Sequence, residues 1–544
     1  MKTNILPILL LSCSTMAVSC SDFLTEDPKG QMVQENYFGS QSELDGAVSV
    51  LMAQVQYTLG DAHALAPNWL GDDITAQISS KDVFKEFDIF DVKDNNNDTK
   101  IPWNKNYSII KAANFIISNA EKTPVSEEEI NIALGQGYFW RAVAYLKLVR
   151  WYGEVPLILS NDIDFNIGKS SIEEIYERIC NDLKTAIGML PESYNSEPRI
   201  SNGLNNYANK GAAEAVLVAA YMARAGYPLN QTSYYAEAAT LAASIIDKTN
   251  KGTYYYQLEE NFKDKYMYVS NNYSKEGVVA VKFNKDNPWG WSGLDSWLSV
   301  CQAYNSVTKQ GWGDALAEIK FWKDMPDGPR KDAIYGEDSK IFVEKGTKEN
   351  TLINWYDKDN GSFICAEAHP MFRSLLYGGG EDGNTMGDYT SSSTTWGSGI
   401  CSQTLYMVTY NEILLWYAEA KARSGSIDQL AKDNLQKILD RAYGVGVDDA
   451  DNYTSSPEVF AEKCFQEHGF EVAGYFPGLV TRANDLLRKN ALKDVFASRK
   501  QNSPIEVADG VSMTEPVEVS GEWNEQRNYA TIPSFDADLN ENLK

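Results

Sequence analysis

Residues 137–159 read GYFWRAVAYLKLVRWYGEVPLIL, and no other stretch restricts the fold as strongly. Phe139, Val143, Leu146 and Val149 recur at the spacing of one helix face, with Ala142 and Trp151 beside them. Arg141, Lys147 and Arg150 fall between the apolar positions. Gly153 can adopt the left-handed backbone that closes a helix, and Pro156 cannot continue one. The reading is a long buried helix that stops sharply and feeds a short extended run, Val155-Pro156-Leu157-Ile158.

Further amphipathic or capped segments surround it. Residues 42–59, 102–120 (with Pro102 in the first turn), 127–151, 209–224, 234–248, 427–443 and 457–471 have helical spacing. Residues 171–190 open with Ser171 and Glu174, the spacing of a capping box. Residues 405–423 read as one helix closed by Gly425, and 484–496 as a shorter one. Alanine on successive helices permits close approach, so the expected fold is mainly α, a scaffold of tetratricopeptide-like helical pairs. Residues 251–404 change character, being rich in Gly, Trp, Tyr and Asn, and read as a large loop-rich, irregular lobe. The expected organisation is a leader over 1–19, a tether over 20–40 and one domain over 41–544. Its scaffold occupies about 41–250 and 405–500.

The N-terminus has Lys2, an apolar run interrupted by Pro7, then small residues ending Ala17-Val18-Ser19-Cys20. This is the pattern of a bacterial lipoprotein signal, with Cys20 the expected lipidation site. Several acyl chains on one residue give lasting membrane anchorage where one would be marginal. No later stretch reaches the length of an apolar span.

A formal net charge of −26 disfavours nucleic acid and anionic membrane surfaces as partners. The seven cysteines include no Cys-x-x-Cys, and the five beyond Cys20 are expected to be mostly buried free thiols. His63, His369 and His468 lie too far apart for a local metal motif and read as structural. Asp94, Asn96 and Asp98 alternate as in a calcium loop, but Thr99 and Lys105 stand where glycine and glutamate are needed, so a solvated loop is expected. The run 378–383 formally fits G-x-G-x-x-G, yet a polar stretch follows where a helix should, which makes it a surface loop. No G-x-S-x-G elbow occurs and no carboxylate pair stands out, so neither a cofactor nor a catalytic residue is expected.

Aromatic residues carry the functional signal. Five of the thirteen tryptophans, Trp289, Trp291, Trp297, Trp312 and Trp322, lie within 283–323. Trp289-Gly290-Trp291-Ser292-Gly293 sits among turn and polar residues, outside any helical stripe. An indole face can receive the C–H patch of a sugar ring while neighbouring Asp, Asn and Arg bond its hydroxyls. Trp289, Trp291 and Trp297 are therefore candidate ligand contacts, whereas Trp312 and Trp322 read as structural. A second candidate loop, 69–97, contributes Trp69, Asp72 and Asp73.

Residue order adds a resemblance. Trp140-Arg141-Ala142, Tyr145, Leu148-Val149 and Tyr152-Gly153-Glu154-Val155-Pro156-Leu157 resemble the signature helix of the SusD/RagB family of surface lipoproteins. Ala113-Asn114, Asp182-Leu183, Glu412-Ile413-Leu414-Leu415, Tyr417-Ala418-Glu419-Ala420 and the Cys20-Ser-Asp-Phe-Leu start are similar to that family too. Departures occur at Tyr410-Asn411, where an arginine is usual, and at Phe476-Pro477-Gly478-Leu479-Val480-Thr481-Arg482. The resemblance implies a non-enzymatic, lipid-anchored protein of the outer-membrane surface. Such a protein binds oligosaccharides and hands them to a TonB-dependent, SusC-like transporter. A peptide-capturing member of the same family and a helical lipoprotein glycosidase are the alternatives.

Overall fold

The computed structural model describes residues 37–76, 82–162, 164–267, 274–283, 298–302, 313–336, 340–345, 349–356, 368–375, 404–516 and 518–544. In chain order the first helices are α1 (Gln41–Leu59), α2 (Asp82–Asp88), α3 (Asn97–Asn119), α4 (Glu127–Tyr152), α5 (Ile172–Met189), α6 (Lys210–Ala225) and α7 (Tyr234–Asn250). The short α8 (Leu298–Gln302), α9 (Ile319–Asp324) and α10 (Pro329–Tyr335) follow. After them come α11 (Tyr410–Arg423), α12 (Gln429–Tyr443), α13 (Pro457–Glu471), α14 (Arg482–Arg488), α15 (Leu492–Gln501) and α16 (Ser534–Leu539).

Side chains start the helices where the sequence places a cap. Ser171 and Glu174 form the reciprocal capping box of α5. Asn209 accepts from the Ala212 amide at the start of α6. Consecutive helices pack side by side: α1 on α3, α3 on α4, α4 on α5, α5 on α6 and α6 on α7. The stack then passes from α7 directly to α11, which packs on α12 and α13. The chain between them leaves the scaffold and returns to it, as expected of a lobe grown into a helical frame. Ala212, Ala213, Ala219, Ala238, Ala242 and Ala418 are buried along the stack, and their small side chains let neighbouring backbones approach.

The helix α4 departs from its expected single apolar face. From Ile132 onward it is buried on nearly every side, including Arg141, Lys147 and Arg150. Arg141 explains how a charge is accommodated there. Its Nε and Nη2 donate to both Asp182 carboxylate oxygens at 2.7 and 2.8 Å, and Nη1 donates to Asn114 Oδ1 at 2.9 Å. One guanidinium thus pins α3, α4 and α5 together. Arg150 donates to the backbone oxygens of Leu479 and Ala219. The Tyr145 hydroxyl donates to the Ile158 oxygen and accepts from the Ile158 amide, which clips the extended run back onto the helix. Gly153 ends α4 at φ +72, a conformation that favours glycine, under the Tyr529 ring.

Several boundaries differ from the sequence reading. Residues 405–409 are a strand, not helix: β4 (Leu405–Thr409) pairs antiparallel with β2 (Gly277–Val281). A short apolar run fits either state, and the partner strand decides. Thr409 and Glu412 then form the capping box of α11. The expected helix over 484–496 is two, α14 and α15, interrupted at Asn490 with φ +54. The helix α3 begins at Asn97, so Pro102 lies inside it. Asn96 caps that helix and the buried Asp98 is bonded to His63, which replaces the solvated loop expected there. Cys180 and Cys464 are buried free thiols and Cys301 is buried, while Cys365 and Cys401 lie outside the described residues. No described helix is long and apolar enough to cross a membrane.

Candidate functional site

The two candidate loops share one foundation. The strand β1 (Ile74–Thr75) pairs antiparallel with β3 (Leu316–Ala317), with Ile74 opposite Ala317 and Thr75 opposite Leu316. The Asp73 backbone oxygen accepts from the Glu318 amide at 3.0 Å. On the other side, Gly474 is held twice. Its amide donates to Asp73 Oδ2 at 2.8 Å, and its oxygen accepts from Gln302 Nε2 at 2.7 Å. The described ends flanking residues 77–81 and 303–312 therefore meet at one point.

Trp69 belongs to that foundation and is not a ligand surface. The ring is fully buried, 4.7 Å from Phe84 and 5.1 Å from Phe476 between centroids. Its Nε1 donates to the Asp314 oxygen at 2.9 Å, across 245 residues. An indole packed on both neighbours has no face to offer a sugar. Asp73, likewise expected as a contact, is 3% exposed. Burial pushes its carboxyl up to about 7, against the Gly474 hydrogen bond, which favours the ionised form. Asp72 alone of the three reaches solvent. Both its oxygens accept from Arg482, Oδ1 from Nε at 2.7 Å and Oδ2 from Nη2 at 3.0 Å. Trp322 is buried and structural, as expected, while Trp289, Trp291, Trp297 and Cys20 lie outside the described residues. Leu298, which follows Trp297, is buried at the first residue of α8, the helix that supplies Gln302.

Arg499 was not singled out by the sequence, yet it clasps the whole foundation. Its Nη2 donates to the Gly71 and Ile74 oxygens at 2.5 and 3.0 Å and to Glu318 Oε2 at 2.8 Å. Its Nη1 donates to the Asp88 oxygen and lies 3.1 Å from Asp88 Oδ1. Asp88 Oδ2 in turn accepts from Thr75 Oγ1 and the Ala76 amide. His369, bonded to Glu515 at 2.9 Å, adds the segment 368–375, and Glu515 Oε1 also accepts from the Ile319 amide. A lone arginine on an exposed-looking helix gives no local sign of such a role.

Beside this foundation, a surface hollow of about 420 Å³ runs along α13. Tyr453, Val459, Glu462, Phe465, Gln466 and Arg482 line it, so Arg482 links the hollow to Asp72. No cluster of metal-ligating side chains occurs among the described residues.

A family model described as "Starch-binding associating with outer membrane" matches residues 22–222, and the model of the SusD family matches residues 246–543. SusD-like protein P2 of Formosa agariphila is 27% identical over 318 residues, which cover 56% of this chain and 59% of that relative. The chain thus matches about three-fifths of that relative's length. The crystal structure of a SusD homologue from Bacteroides thetaiotaomicron aligns with TM-score 0.72 at 18% identity, covering 94% of this chain and 97% of that one. A laminarin-binding SusD-like protein aligns with TM-score 0.66 at 17% identity, covering 93% and 98%.

Proposed function

The chain belongs to the SusD family, whose model spans more than half of it, and from that premise we propose that it captures oligosaccharides at the cell surface and delivers them to a TonB-dependent, SusC-like transporter. The observation that carries this reading is the convergence of the two loop regions on Asp73, Gly474 and the β1–β3 pair. A ligand-binding surface assembled from loops needs a rigid base. Trp69, Asp73 and Arg499 supply that base. Trp289, Trp291 and Trp297 act as stacking faces, and Asp72, oriented by Arg482, bonds sugar hydroxyls. The starch and laminarin named for the family model and for one structural neighbour support a glycan as ligand. Cys20 carries the lipid anchor that holds the protein at the outer membrane, where it sits as a lid on the transporter. The action is capture and hand-over, with no bond made or broken.

Glycan-array binding by the protein lacking residues 1–20, with product analysis of every hit, tests the reading. The Trp289→Ala/Trp291→Ala variant is expected to lose at least tenfold in affinity, since stacking on an aromatic ring and the area it buries are worth more than about 1.4 kcal/mol. The recovered glycan is expected intact. Shortened products would make the protein a hydrolase. Binding confined to cationic peptides, which a charge of −26 would favour, would move it to the peptide-capturing branch.

A further inference from the structure

The C-terminal segment is attached to the body in an inverted way. The helix α16 buries none of its residues. Polar bonds and the buried Leu543 hold it and its flanks: the Ser534 amide donates to the Asp94 oxygen, Asn540 Nδ2 to the Ile167 oxygen and Asn542 Nδ2 to the Asn166 oxygen. Its large apolar side chains face outward instead, Phe535 at 59% and Leu539 at 74% exposure. The hydrogen-bonded partner loop does the same with Phe165, 79% exposed. A terminal helix stabilised only by its own chain would turn these groups inward. Three large apolar groups presented together on adjoining turns mark a surface that another molecule covers.

The charges around the patch select among occupants. Asp162, Asp164, Asp538 and Glu541 are exposed at its edge. The nearest lysines are engaged with the segment itself. Lys169 donates to the Lys544 backbone oxygen, Lys544 pairs with Glu541, and Lys100 sits 4.7 Å from the Phe535 ring centroid. An acidic rim opposes an anionic lipid surface. A second copy would bring two such rims together on chains that each carry −26. A protein surface with an apolar centre and a basic rim is complementary in both respects. We propose that Phe165, Phe535 and Leu539 form the docking patch for the transporter, an inference that rests on the delivery role proposed above.

Photo-crosslinking in the full lipidated chain, produced in its own outer membrane, tests this. p-Benzoylphenylalanine is placed at position 165 or 539 and, as a control, at the equally exposed position of Val445 in the α12–α13 connection. Crosslinks from 165 and 539 to a barrel identified by mass spectrometry as a TonB-dependent transporter, at least about tenfold above position 445, are the expected result. Crosslinks to a second copy or to lipid, no crosslinks, or equal yield from position 445 would overturn the proposal. In parallel, Phe165→Asp/Leu539→Asp is expected to reduce barrel co-purification about tenfold while glycan affinity and Tm stay unchanged. Undiminished co-purification would overturn the patch. Absence of glycan binding with barrel capture intact would instead sink the capture reading and leave the interface in place.

Discussion

The helical stack from α3 to α6 and the region around α11 to α14 solve the same packing problem with different chemistry. The first is mostly apolar: Phe139, Trp140, Leu146, Ile179, Leu183 and a run of alanines fill it, with Arg141–Asp182 as its central ion pair. The second contains a dense buried network. Arg330 reaches Glu467 and Glu471 at 2.8 and 3.0 Å, and Arg441 reaches Glu276 and Glu471 at 2.7 and 2.6 Å. Arg488 is bidentate to Glu419 at 2.7 and 2.8 Å, and His468 lies 2.5 Å from Asp485. Two links of the second network span long separations. Arg141 joins helices only 27 and 41 residues apart, whose order along the chain already restricts their pairing. Arg441 and Glu276 are 165 residues apart, and Arg330 and Glu471 are 141 apart. There the lobe must find one register on the scaffold, and a wrong register would leave a buried charge unpaired.

This contrast breaks most sharply at Glu471. Glu471→Ala removes the carboxylate shared by Arg330 and Arg441, leaving each one carboxylate partner, Glu467 and Glu276, and is expected to cost about 3–5 kcal/mol, read by urea unfolding of the full chain. A loss under about 1 kcal/mol would mean the network adds little beyond packing. In the apolar half, Leu146→Ala is expected to cost about 2–5 kcal/mol through the cavity it opens. Its loss should stay the same across pH 5 to 8, because the deleted group is apolar and carries no charge; a pH-dependent loss would tie that half to the charged network.

The smallest effect is a pH profile. Burial alone would lower the His468 pKa, but Asp485 and Glu412 hold it up at about 9, above its ordinary 6.5. A raised histidine stabilises fully below the unfolded value and loses that contribution as pH rises through the folded one. Glu471 behaves oppositely. Burial would raise it, yet Arg441 and Arg330 hold it at about 2, below its ordinary 4.5, so its contribution fades as pH falls from 4.5 towards 2. Thermal unfolding between pH 6.5 and 9 should therefore show a decline that His468→Gln flattens. An unchanged slope in that variant would assign the decline to other groups.

Much of the scaffold was legible from local pattern. The apolar spacing of 127–151, the Ser171/Glu174 box and Asn209 each specify a helix through neighbours within a turn or two, and α4, α5 and α6 stand where those signals put them. The resemblance carried by Arg141, Asn114 and Asp182 has a physical counterpart, since these three hold one another. The foundation beneath the candidate loops was not legible in the same way. The burial of Trp69 and Asp73 has no local sign, because the same aromatic or acidic residue serves a ligand or a core depending on what packs over it.

Helix period, caps and chain punctuation act within a few residues, so the sequence by itself determined the helical order, the acidic character and the interruption after α7. Whether 405–409 would be strand or helix, which arginines would be buried, and that β1 would meet β3 were decided by partners far along the chain, 245 residues away in the case of Trp69 and Asp314. Those contacts have no local signature, since their free energy exists only once the distant partner is in place.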